Sequence, residues 1–261
     1  MTRPLDAYDD IAIATIVVYS ACFVGAVFLC FKHGLARSSG WSSLMLLSVA
    51  RLIGSALRLS YVSQPTNVGL YIGWMTLNNI GLGPLILILL GLLGRVFQSI
   101  NRQGHVVVKP TYHRLTEILM LVAIILIAVG GSQSNYSFDR GQLVIQYSST
   151  SHAGLGLAIV VLALLFAELF LAFRNQGYVA QGEHRIILAV VISLPFVIVR
   201  LIYSCLVVFG GVRPDVWIYL GMLVIMEMIV VLICEVLGFT LGKAPPAPSK
   251  EDHEMLARGG R

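Results

Sequence analysis

The feature that most constrains this chain is a series of seven long apolar segments. Their approximate ranges are 11–31, 42–62, 71–94, 115–131, 152–173, 186–209 and 216–241. An α-helix needs ~20 residues to cross the hydrocarbon core of a bilayer, and each segment approaches or exceeds that length. Charged residues make up only 12% of the 261 residues, against about 25% in a soluble domain. The sequence therefore predicts an integral membrane protein.

The apolar segments are expected to form helices. In lipid, only helices and closed β-barrels satisfy every backbone hydrogen bond, and barrel strands would alternate apolar with polar residues, unlike these segments. We therefore expect an all-α bundle of seven transmembrane helices over residues 1–242. Residues 243–261 are rich in Pro, Lys, Glu and Gly without periodicity, which predicts a disordered cytosolic tail.

Lysine and arginine are distributed unevenly between the two sides of the predicted bundle. Twelve fall on one side: Lys32, Arg37, Arg95, Arg102, Lys109, Arg114, Arg174, Arg185, Lys243, Lys250, Arg258 and Arg261. Three fall on the other: Arg3, Arg140 and Arg213. The positive-inside rule then places the N-terminus on the lumenal or exterior side and the C-terminus in the cytosol, with the endoplasmic reticulum or another endomembrane as the expected location. The glycosylation sequon at Asn135 would lie on the lumenal side.

Six charged side chains lie away from the first residues of the apolar segments, and they are Arg51, Arg58, Glu168, Arg200, Glu227 and Glu235. A charged residue at the centre of a membrane helix costs about 2.5–3.5 kcal/mol, so such residues usually face the bundle interior, pair with each other or serve a function. Arg51 and Glu227 lie near the middle of their segments, whereas Glu168 and Glu235 lie nearer the cytosolic ends. Arg58 lies on the same helix face as Arg51, about two turns closer to the lumen.

Amides and a further arginine extend this polar set toward the lumenal side. Arg200 lies in the lumenal half of the sixth segment, and Asn78 and Asn79 lie in the lumenal half of the third. Gly81, Gly83 and Pro84 follow the amides and should loosen or kink that helix. With the charges in mid-helix, these residues predict a polar pocket that opens from the middle of the bundle toward the lumen. The alternative is an Arg–Glu pair with amide hydrogen bonds that locks the helices together.

Two short stretches of similar sequence suggest an internal repeat. Residues 51–55 read Arg-Leu-Ile-Gly-Ser, and residues 200–204 read Arg-Leu-Ile-Tyr-Ser. They are compatible with two parallel three-helix repeats around a linker helix, with a chance match as the alternative. In such a repeat, Arg51 and Arg200 would occupy equivalent depths on two helices that face one another.

Several functions of membrane proteins are disfavoured. No lysine lies inside an apolar segment, so a retinal Schiff base is not expected, and all six histidines fall in loops, at helix ends or in the tail, which argues against an intramembrane metal site. Walker and dinucleotide-binding motifs are missing from the sequence. We therefore expect no metal and no cofactor. The excess of basic residues is explained by topology and contacts with lipid head groups, without a nucleic-acid partner.

Acid catalysis on a lipophilic substrate is compatible with these residues. A carboxylic acid buried in a low-dielectric pocket keeps its proton and can give it to an epoxide or olefin, which starts a carbocation cascade. Aromatic faces stabilise passing positive charge, and Trp74 and Tyr203 lie in the same half of the bundle as the polar groups. An aromatic belt at the lumenal interface is the alternative for four residues of that half, Tyr61, Tyr71, Trp217 and Tyr219.

Four sequence stretches carry a resemblance to a known family. They are Cys-Phe-Lys-His-Gly at 30–34, Arg-Ser-Ser-Gly-Trp at 37–41, Ala-Arg-Leu-Ile-Gly-Ser at 50–55 and Asn-Asn-Ile-Gly-Leu-Gly-Pro-Leu at 78–85. The chain resembles a family of small fungal seven-helix membrane proteins that includes membrane-bound terpene cyclases of ascofuranone-type meroterpenoid pathways. The resemblance implies cyclisation of a farnesyl or epoxyfarnesyl chain on an aromatic head group, without metal or redox cofactor.

The resulting hypothesis is a cofactor-independent terpene cyclase with a lipophilic substrate. Glu227 would be the general acid because of its depth, with Glu168 and Glu235 as further candidates. Three arginines, Arg51, Arg58 and Arg200, would hold a phenolate or carboxylate head group, while Asn78 or Asn79 would orient the reacting oxygen. A close arginine would instead make Glu227 a salt-bridge partner. The second hypothesis is a non-enzymatic seven-helix transporter or lipid- and ligand-binding receptor with the same pocket.

Overall fold

The computed structural model describes residues 3–33, 39–102, 107–139, 142–179, 182–210 and 215–242. Seven helical spans in this part of the chain are long and apolar enough to cross a membrane, which confirms the predicted all-α membrane bundle. The helices that form single spans are α1 (Ala7–His33), α2 (Ser39–Ser63), α5 (Pro110–Ser132), α6 (Ser149–Arg174) and α7 (His184–Gly210). The tail predicted at 243–261 lies outside the described residues.

The third span is interrupted close to its middle. It consists of α3 (Val68–Ile80) and α4 (Leu82–Arg102), with Gly81 between them. Pro84 has no N–H group for the carbonyl of Ile80, so the α-helical hydrogen-bond ladder cannot continue unchanged through this point. The interruption lies where the glycines and the proline of the sequence predict a kink.

The seventh span also departs from regular α geometry. A short α8 (Val216–Ile218) continues through a π-helical segment (Tyr219–Ile225) into α9 (Met226–Thr240). A π turn holds one residue more than an α turn, and such segments occur often at functional sites. In this chain the π segment ends two residues before Glu227, so it sets the direction in which that side chain points.

The third span is the centre of the bundle. In its most apolar stretch 83% of the residues are buried inside the protein, compared with 28% for the first span and 33% for the fourth. Around it, α1 packs on α2, α5 packs on α6, and α7 packs on α9. Large apolar side chains such as Val17, Phe170 and Val236 are exposed on the outer faces, as expected of surfaces that contact lipid.

A β-hairpin joins α5 to α6. Strand β1 (Asn135–Asp139) pairs antiparallel with β2 (Gln142–Gln146), and Asn135 lies opposite Gln146 in the register. The start of α1 and the connection from α2 to α3 lie at the same end of the bundle, which we call the hairpin end. Asn135, the asparagine of the sequon, is exposed there. Its glycosylation stays a prediction.

Candidate functional site

Arg51, Arg200 and Glu227 meet in the core of the bundle. The Nε and Nη2 atoms of Arg51 donate to the two carboxylate oxygens of Glu227, and Arg200 Nε lies 3.5 Å from Glu227 Oε2. The hydroxyl of Tyr19 donates to Glu227 Oε1 over 2.9 Å. The relative exposure of Arg51 is 5%, and Arg200 and Glu227 are fully buried at 0%. Spans 1, 2, 6 and 7 are therefore joined through one carboxylate.

Asn78 completes this core cluster from the third span. Arg51 Nη1 donates to Asn78 Oδ1 over 2.5 Å, and Arg200 Nη2 donates to the Asn78 backbone carbonyl over 2.5 Å. The last four carbonyls of any α-helix have no partner within it, and Asn78 is within the last four residues of α3. The interruption of the third span thus supplies a backbone acceptor for the two guanidinium groups.

Gly81 allows the cluster to approach the backbone of the third span. A Cβ atom at this position would overlap with the guanidinium of Arg51 and would lie 3.1 Å from Glu227 Oε2. Any larger residue would therefore displace the ion pair or the helix.

The core cluster carries an excess of positive charge. It contains the two guanidinium groups of Arg51 and Arg200 and the single carboxylate of Glu227, so its formal charge is +1 with the carboxylate ionised. A carboxylate that accepts hydrogen bonds from two cations and a phenol is a poor proton donor. The geometry of Glu227 thus favours the salt-bridge alternative over the general-acid role that its depth suggested.

A small cavity adjoins the core cluster on the side of α5 and α6. It is lined by Asn79, Ile127, Tyr147, Ser151, Leu155, Ser204 and Val208. The space open to the centre of a water molecule is ≈ 10 Å³, which is about the room that one water needs. Ser204 connects this cavity to the cluster, since its Oγ accepts from Arg200 Nη1 over 2.6 Å. A farnesyl chain does not fit this cavity without movement of the spans.

The two asparagines of the third span have different partners. The side chain of Asn78 belongs to the core cluster, whereas Asn79 lines the cavity and donates from Nδ2 to the Tyr147 hydroxyl over 3.2 Å. Both side chains are 6% exposed. The predicted convergence of Arg51, Arg200 and Glu227 is therefore seen, with one amide bound to it and the other on the wall of the cavity.

Arg58 does not join this cluster. It forms a second one at the hairpin end, where its Nε donates to Asp9 Oδ1 over 2.7 Å and its Nη2 donates to Asp6 Oδ2 over 2.6 Å. Arg3 binds the same acids, with 2.8 Å to each. Two cations and two carboxylates make this cluster formally neutral. Burial alone would raise the pKa of the Asp6 carboxyl, but hydrogen bonds from Arg58 and Arg3 outweigh it and hold that pKa well below its usual range.

Sequence reasoning missed the acids of this second cluster. Asp6 and Asp9 precede the first predicted segment, and the sequence analysis gave them no partner. Their signal was present in the sequence, because Arg58 at the lumenal end of the second segment needs an anion, and few acids are predicted on that side.

The aromatic residues near these clusters are mostly buried. The guanidinium carbon of Arg58 lies 4.6 Å from the centre of the Trp74 ring, and that of Arg200 lies 5.5 Å from the Tyr203 ring. These two ring faces therefore already hold protein cations. Tyr71 and Tyr219 are 5% and 7% exposed and lie in the core, so the interfacial-belt interpretation is wrong for them. Trp217 has a relative exposure of 76%, which agrees with that interpretation.

The other two membrane acids lie elsewhere. Glu168 accepts from the Thr116 hydroxyl over 3.3 Å and lies 3.0 Å from His113 Nδ1. Glu235 is buried between α9 and α1, with its carboxylate 3.1 Å from where a Cβ of Gly25 would be. Within the described residues, neither acid is hydrogen-bonded to the core cluster. Within the described residues, no group of three or more His, Cys, Asp or Glu side chains is placed to hold a metal ion.

Comparison with known proteins identifies the family. The model of a family described as a domain of unknown function, DUF7702, matches residues 5–244, and the chain belongs to this family. The match extends from just before the N-terminal acidic residues to the end of the seventh span, so it covers the core cluster, the cavity and the second cluster except for Arg3. A search of curated proteins gave no match to the chain.

Proposed function

We propose that the protein is a non-enzymatic membrane carrier that binds a lipophilic small molecule with an anionic head group, such as a carboxylate or phenolate. The observation that supports this proposal is the core cluster, in which two guanidinium groups share one carboxylate. A buried net positive charge is costly in a membrane protein. An anionic head group would neutralise it, and the apolar chain would lie between spans.

The helix irregularities around the cluster support a carrier in particular. Transporters commonly build their sites from discontinuous membrane helices whose free backbone groups bind the ligand. Here the Asn78 carbonyl at the end of α3 binds both arginines, and the π segment of the seventh span ends next to Glu227. The same two places are where the bundle can change shape. The small cavity beside Arg200 corresponds to a closed state.

A comparison of charged and neutral ligands tests the proposal. We would measure binding of oleate and oleyl alcohol, which differ in the head group alone, to the purified protein in nanodiscs. We expect saturable binding of oleate at least ~10-fold tighter than that of the alcohol, because a charge-assisted hydrogen bond contributes roughly 1.5–3 kcal/mol. In Arg200→Gln this preference should disappear, since Arg51 alone then balances Glu227.

Two controls complete the measurement. Arg200→Lys keeps the positive charge and should keep the preference for oleate. Arg95→Gln removes a cation whose partner is Glu183 at the opposite end of the bundle, and it should leave the preference unchanged. Equal affinity of the wild-type protein for oleate and oleyl alcohol would rule out an anionic ligand at this site.

A second candidate function is the cofactor-independent terpene cyclase of a fungal meroterpenoid pathway, and Glu235 is the observation that favours it. This carboxyl is buried at 7% relative exposure, and its Oε1 has no hydrogen-bond partner within the described residues. The carboxyl is hydrogen-bonded to the thiol of Cys22, which is a weak donor. A buried carboxyl that is not held by a cation costs least to bury in its uncharged form. Glu235 therefore has the environment of a proton donor that Glu227 does not have, although both were candidates from the sequence.

Measuring substrate turnover distinguishes the cyclase hypothesis from the carrier hypothesis. Microsomes that contain the protein would be incubated with epoxyfarnesyl-phenol substrates, and the products would be analysed by mass spectrometry. A cyclase should convert the substrate, and Glu235→Gln should lower the rate by about 10²–10⁴-fold without loss of protein, as expected for a general acid. A carrier should return the substrate unchanged.

A further inference from the structure

The geometry points to a site for a single halide ion in the cavity beside Arg200. This inference goes beyond the proposed carrier function, because it concerns the protein without its organic ligand. In that state the positive charge of the core cluster has to be balanced within the membrane by something other than Glu227.

The balance of charges restricts where an anion is needed. At the hairpin end, Asp6 and Asp9 match Arg3 and Arg58. In the core, Glu227 is the single carboxylate that contacts the arginines among the described residues. The unmatched charge lies with Arg200, since Arg51 forms the bidentate pair and Arg200 reaches Glu227 only at 3.5 Å.

The cavity offers hydroxyl donors at the required place. Ser204 lies between Arg200 and the cavity, and its own bond to the Arg200 carbonyl is long at 3.4 Å, so its hydrogen can turn to an ion in the cavity. Ser151 also lines the cavity. It is 2% exposed, and its Oγ has no hydrogen-bond partner within the described residues. A buried hydroxyl without a partner is costly, and an anion would satisfy it.

The helix that carries Ser151 adds a positive electrostatic potential at the cavity. α6 begins at Ser149, so its N-terminal end, where the helix dipole is positive, lies at the cavity. In this closed state the small cavity has room for a monatomic ion but not for an organic anion, which would enter only when the spans move apart. Apolar walls from Ile127, Leu155 and Val208 suit a large, weakly hydrated ion such as chloride or bromide.

Thermal unfolding of the purified, ligand-free protein tests the site. We would record Tm in sodium chloride, sodium bromide and sodium gluconate at equal ionic strength. An ion that binds the folded state alone raises stability in proportion to ln(1 + [L]/Kd). We expect a saturable rise in Tm with chloride and bromide and none with gluconate. The same curve in all three salts would overturn the inference, because the effect would then be one of ionic strength.

Serine variants locate the ion. Ser151→Ala should weaken the apparent halide affinity about tenfold, the loss expected for one hydrogen bond to a charged partner. The matched control is Ser193→Ala in α7, since Ser193 is also fully buried with an unpartnered Oγ but does not line the cavity. It should leave the halide response unchanged. Equal responses of the two variants would contradict the assigned position.

Anomalous diffraction from crystals grown in bromide gives an independent result. A bromide peak between Ser151 and Ser204 would confirm the site, whereas a water alone in the cavity would overturn it. Neither result depends on oleate binding, so failure of the carrier proposal and failure of the halide site are distinguishable.

Discussion

At the scale of single residues, Glu227 is the side chain on which the core cluster depends. Glu227→Gln would leave Arg51 and Arg200 buried without a carboxylate, and breaking a buried ion pair costs about 3–5 kcal/mol. We expect a large loss of folded protein from membranes and a lower Tm in detergent. The measurements are membrane abundance and thermal unfolding of the same preparations.

The control for this change is an ion pair of the same chemistry near the surface. Arg95 lies 3.2 Å from Glu183, with side-chain exposures of 17% and 13%. Since water reaches both side chains, Glu183→Gln should cost less than Glu227→Gln. If Glu227→Gln accumulated and unfolded like the wild-type protein, the structural role of the pair would be refuted. A selective loss of turnover in that variant would return Glu227 to the role of proton donor.

Gly81 is the residue where an added methyl group should damage the cluster most directly. A Cβ there would overlap with the guanidinium of Arg51, which cannot swing away without breaking its bonds to Glu227 and Asn78. We expect Gly81→Ala to destabilise the protein by about 1–3 kcal/mol, the usual cost of overpacking. Thermal unfolding would measure this loss.

Gly156→Ala is the matched control for this substitution. Gly156 lies inside α6, and a Cβ there would meet no atom within 4 Å. Alanine should be neutral or should stabilise the helix by up to about 1 kcal/mol. Equal effects of the two substitutions would show that the backbone, rather than the close approach to Arg51, explains the glycine at position 81.

The cost of charge in lipid made the core residues predictable, but it did not reveal their partners. Arg51, Arg200 and Glu227 were expected in one interior site because each is expensive elsewhere. Arg58 binds the N-terminal acids and not the core cluster. This contact depends on how the chain before α1 folds back onto α2. Tyr19 carried no signal, since a tyrosine in an apolar segment is common and its hydroxyl becomes important only when helix rotation places it beside Glu227.

At the scale of elements, hydrogen bonds and ion pairs hold the N-terminal segment against the second span. The backbone N–H of Arg3 donates to the Val62 carbonyl over 3.1 Å, and Asp6 accepts from both Arg3 and Arg58. The pKa of Asp6 in the folded protein is depressed below its ordinary value of 3.8. Its contribution to stability is therefore complete above about pH 4 and disappears as the pH falls toward the folded-state pKa.

This linkage predicts a specific pH dependence for Asp6→Asn. The variant should be less stable than the wild-type protein at pH 7, and the difference should stay constant down to about pH 4 and then shrink. Thermal unfolding at several pH values measures the difference between the two proteins. The exposed Asp10 provides Asp10→Asn as a control for the loss of one negative charge near the N-terminus. A difference that grew below pH 4 would contradict the ion pairing of Asp6.

The irregular elements of the fold are only partly predictable from the hydrophobic pattern of the sequence. The long apolar runs located all seven spans, and Gly81, Gly83 and Pro84 located the interruption of the third. The β-hairpin was not predicted, because five-residue strands in a long connection give little periodic signal. The π segment was not predicted either, since an extra residue in one turn changes the direction of Glu227 without changing the hydrophobicity of the span.

At the scale of the whole molecule, the orientation in the membrane is the property that the helices alone do not determine. The twelve-to-three bias of Lys and Arg predicts that the hairpin end faces the lumen and the opposite end faces the cytosol, since basic loops are translocated with difficulty. At the hairpin end, Arg3 and Arg58 are neutralised by Asp6 and Asp9, so these two arginines add little to this barrier. Arg140 and Arg213, the other basic residues predicted on that side, lie outside the described residues.

Protease protection in intact microsomes tests this orientation. A tag fused after Arg261 should be digested without detergent, whereas a tag fused before Met1 should be digested only after the membrane is opened. The two tagged proteins control for each other, because they share the same seven spans. A C-terminal tag that became sensitive only on opening the membrane would reverse the topology. The cavity and the second cluster would then face the cytosol, and any anionic ligand would enter from there.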